Sequence, residues 1–221
     1  MARPRNPLLS RERIVRAAVS LVDAEGLSAL STRRLAAELG VSGPSLYNHF
    51  STKDALLDAV VDHVLGEVDL SMWSAPAAAA ESGGWSAALL DWARSYRAAL
   101  VAHPNLVPVL AQGPGRRANA LRLADAVFGG LVDAGWPKGE ATRIGALMRY
   151  FVFGSALGSF AGGFVDDEHL YAEGYPHLGE AHLLADRQRQ IDEGAFETGL
   201  SALVDGLALR YARLGGPRSV G

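Results

Sequence analysis

The chain has 221 residues, 49% of them hydrophobic, with a mean hydropathy of +0.09, which is ample for a packed core in one or two domains. It holds no cysteine, which excludes disulfides, thiolate zinc sites and cysteine nucleophiles. Its net charge of −3 hides an asymmetry: residues 1–53 carry eight Lys and Arg against four Asp and Glu, and residues 54–221 carry 13 against 20, so only the head suits a polyanion.

In chain order, the N-terminus MARPRNPLLSRERIVRAAV has charges inside any apolar run and does not read as a secretory signal. Arg3 and Arg5 lie on a proline-containing arm (residues 1–9) that suits either a minor groove or a solvated tail. Ser10 can cap a first helix with Ile14, Ala17, Ala18, Leu21 and Val22 on one face, ended by Gly26. Ser31 or Thr32 caps a short second helix through Leu39, and Gly40 stops it. A third runs from Pro44 to about Phe50, with proline in its first turn. Ser51/Thr52 opens a fourth that reaches about Leu70, with Leu56, Leu57, Val60, Val61, Val64 and Leu65 buried.

Ser71–Gly84 reads as a loop of small residues. Helices are expected over Trp85–His103, briefly over Asn105–Gln112, over Arg116–Ala134 and over Lys138 to about Gly163. Phe164–Gly179 reads as a loop, Glu180–Gln190 as a weak helix, and Phe196–Leu214 as a strong one before Gly215-Gly216-Pro217. No segment alternates with period two, so the fold class is all-α. Tyr150–Val165, the longest uncharged apolar run, is too short and glycine-rich for a membrane span, which leaves a cytoplasmic protein without a membrane partner as the expectation.

The stretch LSTRRLAAELGVSGPSLYNHF has what two helices crossing through a tight turn require: a small residue at the crossing (Ala36), a left-handed residue in the turn (Gly40) and an apolar wedge (Leu35, Leu39, Val41, Leu46). Thr32 and Arg33 stand at the second helix's N-terminus, where backbone N–H groups suit a phosphate. Tyr47, His49 and Lys53 follow as phosphate donors.

At this point residues 10–65 resemble the DNA-binding domain of the TetR-type transcriptional repressors. The likeness runs through Ala24-Glu25-Gly26-Leu27, Ser31-Thr32-Arg33-Arg34-Leu35-Ala36, Leu39-Gly40-Val41, Pro44-Ser45-Leu46-Tyr47-Asn48-His49-Phe50 and Lys53-Asp54-Ala55-Leu56-Leu57. The resemblance implies a helix-turn-helix domain (10–52) whose Gly43–His49 helix enters the major groove. It implies Thr32 and Arg33 on backbone and base, and Tyr47, His49 and Lys53 on phosphates. Gly43 stands where relatives often carry a base-reading side chain, and Pro44 offers only apolar contact, so Arg33, Ser42, Ser45 and Asn48 are the main base readers. The partners implied are a near-palindromic double-stranded DNA operator, a second copy of the chain and a small-molecule effector.

Residues 53–216 resemble, more loosely, the ligand-binding and dimerisation domain of the tetracycline-repressor branch, with residues 53–70 as the linking helix and 217–221 as a frayed tail. Trp85–Arg97 and Gly199-Leu200-x-x-Leu203-Val204-x-Gly206-Leu207 carry that likeness. It implies a dimer bundle built from about Lys138–Gly163 and Phe196–Leu214. Gly154, Gly158 and Gly162, four apart, would give it a smooth strip, with Leu203 and Leu207 opposite; the same strip could instead pack within the subunit. An ungapped alignment puts Asp69, Trp92, Leu110 and Gly158 where that branch contacts its magnesium-chelated drug, and only Asp69 is polar. An apolar or aromatic effector is therefore expected, with Trp92, Tyr96, Phe128, Tyr150 and Phe153 as pocket candidates or plain core.

Asp166-Asp167-Glu168-His169 and His177-x-x-Glu180-x-His182 read as solvated loop, so no metal and no cofactor are expected. There is no phosphate-binding glycine loop followed by lysine, no Gly-x-Ser-x-Gly elbow and no telling acid pair, so the chain does not read as an enzyme. The alternative is a small-molecule-binding or hydrolytic helical protein whose first helices are only a packing module.

Overall fold

The computed structural model describes residues 9–73, 84–111, 116–172 and 174–214, and these are all helix, turn and irregular chain with no strand among them. The arm residues 1–8, most of the small-residue loop (74–83), positions 112–115 and the tail from 215 lie outside the described residues. Ten α-helices are described: α1 (Arg11–Glu25), α2 (Thr32–Leu39), α3 (Gly43–Tyr47), α4 (Lys53–Leu65), α5 (Gly84–Ala102), α6 (Val107–Leu110), α7 (Ala118–Asp133), α8 (Lys138–Gly154), α9 (Glu168–Ala172) and α10 (Gln188–Arg213). Among the described residues no helix is long and apolar enough to cross a membrane.

The chain forms two compact units, Met1–Val68 with Ala99–Leu123, and Asp69–Ala98 with Ala124–Gly221. In the first, α1, α2 and α4 each start on a side-chain cap: Ser10 Oγ accepts the Arg13 N–H, Ser31 Oγ the Arg34 N–H, and Thr52 Oγ1 the Ala55 N–H, at 3.2, 3.2 and 3.0 Å. α2 stops at Gly40, whose φ of +67° is left-handed; the Gly40 and Val41 N–H groups turn back onto the Ala37 and Ala36 carbonyls at 3.3 and 3.0 Å. Leu30, Leu35, Leu46 and Phe50 then close over Ile14, Ala18 and Val22 of α1 and Val60, Val61 and Val64 of α4, all buried. The second unit is built around Leu89, Trp92 and Ala93 of α5, Leu131 of α7, Ile144, Met148 and Val152 of α8, and Phe196, Leu200 and Val204 of α10.

Four boundaries differ from the sequence expectations. α4 ends at Leu65, not Leu70, because Gly66 takes its C-cap and the Asn119 amide occupies the space beside it, 2.9 Å from where a Cβ would stand. α8 ends at Gly154, not Gly163: Ser155 Oγ turns back to donate to the Val152 carbonyl at 2.7 Å, and the Ala156 N–H bonds three residues back to Phe153. Gly154, Gly158 and Gly162 therefore do not share one helix; Gly162 lies in a separate 3₁₀ turn (Ala161–Gly163) beneath Gln188. The supposed weak helix at 180–190 is two 3₁₀ turns, Ala181–Leu183 and Ala185–Arg187, and α10 begins at Gln188, eight residues before the first apolar anchor Phe196. The loop expected over 164–179 contains α9.

Candidate functional site

In the first unit the N-termini of α2 and α4 open on one cleft, lined by Thr32 at the first turn of α2, Tyr47 at the end of α3 and Lys53 at the first turn of α4, with Leu35, Leu46 and Leu56 beneath. Two helix N-termini bring the positive ends of their backbone dipoles there, a hydroxyl and an ammonium add donors, and the arrangement is suited to phosphate oxygens. Tyr47 is 57% exposed, and Arg33, Pro44, Asn48 and Lys53 are exposed beside it. Thr32, Gly43, Ser45 and His49 are half-buried. Ser42, which is exposed, and Ser45 are hydrogen-bonded to each other, Oγ to Oγ, at 2.7 Å, which fixes the entry to α3.

Two arginines absent from the sequence expectations complete this frame. Arg34 donates to Glu25 through Nε at 3.1 Å and to Glu38 through Nη1 at 2.9 Å, tying α2 to the end of α1. That contact holds the Glu25 carboxyl below its ordinary pKa, the hydrogen bond from Arg34 being the main cause. Arg11 stacks its guanidinium 4.1 Å over the Phe50 ring and donates to the His49 carbonyl, where α3 has ended. Both were counted in the head's positive charge, but only the fold shows that they hold helices in place. No local sequence signal separates Arg33 from Arg34.

In the second unit, Trp92 and Tyr96 of α5 and Phe153 of α8 form a row of rings, with centroids 5.6 and 5.5 Å apart. Arg149 lies over Phe153 at 4.6 Å. Burial pushes the Tyr96 phenol up to about 12, with Arg149 opposing the shift. The indole N–H of Trp92 is buried with no hydrogen-bond partner among the described residues. Phe128 packs elsewhere, its ring against the backbone of Gly145, where a Cβ would approach within 2.1 Å.

The other pocket candidates do not join that row. Tyr150 is 70% exposed and lines a surface groove with Gly154, Gly158 and Phe160. Leu110 is buried in the first unit. Asp69 is occupied in a local turn: it accepts the Ser71 N–H at 2.8 Å and the Ser71 hydroxyl at 2.9 Å, which depress its pKa. Leu207 is buried and Leu203 half-buried on α10, while Gly154 and Gly158 face open space. Among the described residues no three His, Asp or Glu side chains are placed to hold a metal ion.

Two family models match: "Bacterial regulatory proteins, tetR family" over residues 14–60, and "Tetracyclin repressor-like, C-terminal domain" over residues 76–211, well over half of the chain. The chain belongs to the TetR family. Among the TetR-family proteins it is similar to is the tetracycline repressor protein class A from transposon 1721 of Escherichia coli, 35% identical over 204 residues and 89% of each chain. An HTH-type transcriptional regulator of Saccharopolyspora erythraea is 36% identical over 149 residues, which are 67% of this chain and 60% of that protein. The structure of the Streptomyces coelicolor TetR family protein ActR in complex with actinorhodin superposes with a TM-score of 0.70 at 31% identity, covering 93% of this chain and 99% of that chain. As a TetR-family member the chain is a transcriptional regulator with a helix-turn-helix head, and its fold is all-helical, as its sequence implied.

Proposed function

We propose that this TetR-family chain is a repressor that holds a near-palindromic operator as a homodimer and lets go when a small apolar or aromatic effector binds in its second unit. The observation that carries the reading is the convergence of Thr32, Tyr47 and Lys53 on one cleft beneath two helix N-termini. In this reading the three, with His49, hold phosphates, and α3 lies in the major groove with Arg33, Ser42, Ser45 and Asn48 as base readers and Pro44 against a thymine methyl. Gly43 lets the backbone come close and reads nothing.

The ring row Trp92–Tyr96–Phe153 supports an aromatic effector, and the relative ActR, solved in complex with actinorhodin, supports a receptor role for this domain. A magnesium-chelated drug does not fit. Of the four positions at which the tetracycline branch would contact it, Trp92, Leu110 and Gly158 offer no metal ligand, and Asp69 is already bonded to Ser71. Exposed Gly154 and Gly158, and the exposed apolar side of α10 near Leu203, suit contact with a second copy.

Release requires only that the effector prefer a conformation whose two heads miss successive major grooves; a hundredfold loss of operator affinity corresponds to about 2.7 kcal/mol of that preference. Fluorescence anisotropy on duplexes from the DNA flanking its own gene tests the reading. Specific, salt-sensitive retention is expected, and Tyr47→Phe with Lys53→Ala should weaken binding alike on all sequences and flatten the salt slope. No specific retention of any such duplex overturns it.

A further inference from the structure

α5 and α10 meet over a groove of about 270 Å³, lined by Arg94, Arg97, Ala98, Glu193, Phe196 and Glu197, all within the second unit. It shares no lining residue with the ring row of Trp92, Tyr96 and Phe153 or with the DNA cleft. One wall is fixed from the sequence upward. Gly199, inside α10, leaves room for the Phe151 ring, which a Cβ there would meet at 2.8 Å. Phe151 stacks on Phe196 with centroids 5.4 Å apart and planes 14° from parallel, and the Arg97 guanidinium lies 4.7 Å over the Phe196 ring.

The two arginines of the groove differ in what they bond. Arg94 donates to Glu197 from Nε at 3.1 Å and from Nη2 at 2.9 Å, and reaches Asp91 through Nη1 at 3.3 Å. That hydrogen bonding from Arg94 is the main reason the Glu197 carboxyl sits below its ordinary pKa; Arg97 acts on it only as a nearby charge. Arg97 Nε is shut away from solvent and, among the described residues, has no acceptor. A guanidinium N–H stripped of water and given no acceptor is costly, and a ligand that brings an acceptor removes the cost. Access is left open. At about 100° per residue, Glu193, Phe196 and Glu197 fall on the side of α10 opposite the exposed Ala195, Thr198, Ala202 and Gly206, so a second copy seated on those small residues does not cover the groove.

We propose that this groove binds a small monocarboxylate with a flat apolar body, the carboxylate taken by Arg97 and the body lying against Phe196 and Ala98. The planar fork of a guanidinium matches two carboxylate oxygens. Glu193, which is exposed on the α10 side, and Glu197 oppose a second negative charge, and this sets a carboxylate above a phosphate monoester. The site is separate from the operator reading and stands or falls without it.

The experiment titrates the full-length protein with benzoate, followed by saturation-transfer difference NMR and by thermal melts. Benzamide serves as the uncharged match and phenyl phosphate as the dianion. Benzoate is expected to bind saturably and to raise the melting temperature with its concentration, while benzamide does neither and phenyl phosphate binds more weakly. Arg97→Met keeps an unbranched apolar stem over Phe196 and should weaken benzoate about tenfold or more. A merely structural Arg97 would leave the benzoate titration as it was. Arg97→Lys keeps a cation at the ring without the fork; it should also lose most of the benzoate affinity, and it decides the matter if Arg97→Met has lost its helical circular dichroism. Glu193→Gln removes a surface charge beside the site and should tighten benzoate, and phenyl phosphate more so. Absence of benzoate binding, equal binding of benzamide, tighter binding of phenyl phosphate than of benzoate, a folded Arg97 variant that titrates as the wild type does, or a Glu193→Gln variant with unchanged affinity for both anions overturns the assignment.

Discussion

At α2, Arg34 is held by carboxylates of α1 and of its own helix while its neighbour Arg33 is exposed, so adjacent cations do separate jobs. Arg33→Ala should weaken operator binding, relax sequence preference and lower the salt slope by about one, because a base or phosphate contact is lost. Arg34→Ala should lower the melting temperature with little change in that slope, since its charge is already spent on Glu25 and Glu38. Salt titrations of binding on both variants check this, and equal slopes for the two would contradict it. Gly40 is a backbone case. Nothing stands within 4 Å of where its Cβ would be, so Gly40→Ala meets no clash, only the left-handed φ of +67°. About 1 kcal/mol of destabilisation is expected, read from urea unfolding.

Elements were legible wherever apolar spacing and caps agree. α1, α2 and α3 have Ser10, Ser31, Gly40 and Pro44 at their ends, and their bounds in the structure fall within a few residues of the expected ones. α10 shows why legibility stops: Gln188–Ala195 carries no apolar stripe, so its first two turns are invisible to periodicity and are helical by continuation from the packed part. α8 shows the converse, an apolar glycine-rich run that reads as helix and ends early, because a glycine with nothing packed on it adds flexibility and no burial. The candidate site divides in the same way. Thr32, Tyr47 and Lys53 were visible as a motif, whereas the bonds of His103 to Glu67, Arg117 to Asp58 and Asn119 to Asp62 span 36 to 59 residues and leave no local trace. Packing between α5 and α8 also sets a pH dependence. With its pKa raised from 10.0 to about 12, Tyr96 contributes stability that is whole below pH 10 and is lost as pH climbs toward 12. Thermal melts across that window should fall more steeply for the wild type than for Tyr96→Phe, and parallel curves would place the phenol in water.

For the molecule as a whole, what remains apolar on the surface decides how it assembles. On α8 and just beyond, Leu147, Tyr150, Leu157 and Phe160 are 39, 70, 61 and 73% exposed, and on α10 Leu209 is 64% exposed. Along α10 the exposed positions Ala195, Thr198, Ala202, Gly206 and Leu209 recur at three- and four-residue spacing, a stripe of small and apolar side chains such as helices packed against a second copy need. A stripe of this kind on a lone subunit would be costly to leave in water. In the function proposed above, two heads reading half-sites one or more helical turns apart also require two chains. Leu209→Glu puts a charge at the C-terminal end of that stripe while touching none of the buried core of α10, Phe196, Leu200, Val204, Leu207 and Tyr211. Sedimentation velocity should then show a dimer for the wild type and monomer for the variant at micromolar concentration, with helical content unchanged. Operator affinity should fall steeply in the variant, since each head alone holds one half-site, and binding should become second order in protein. A variant that stays dimeric and binds as the wild type does would move the interface off α10.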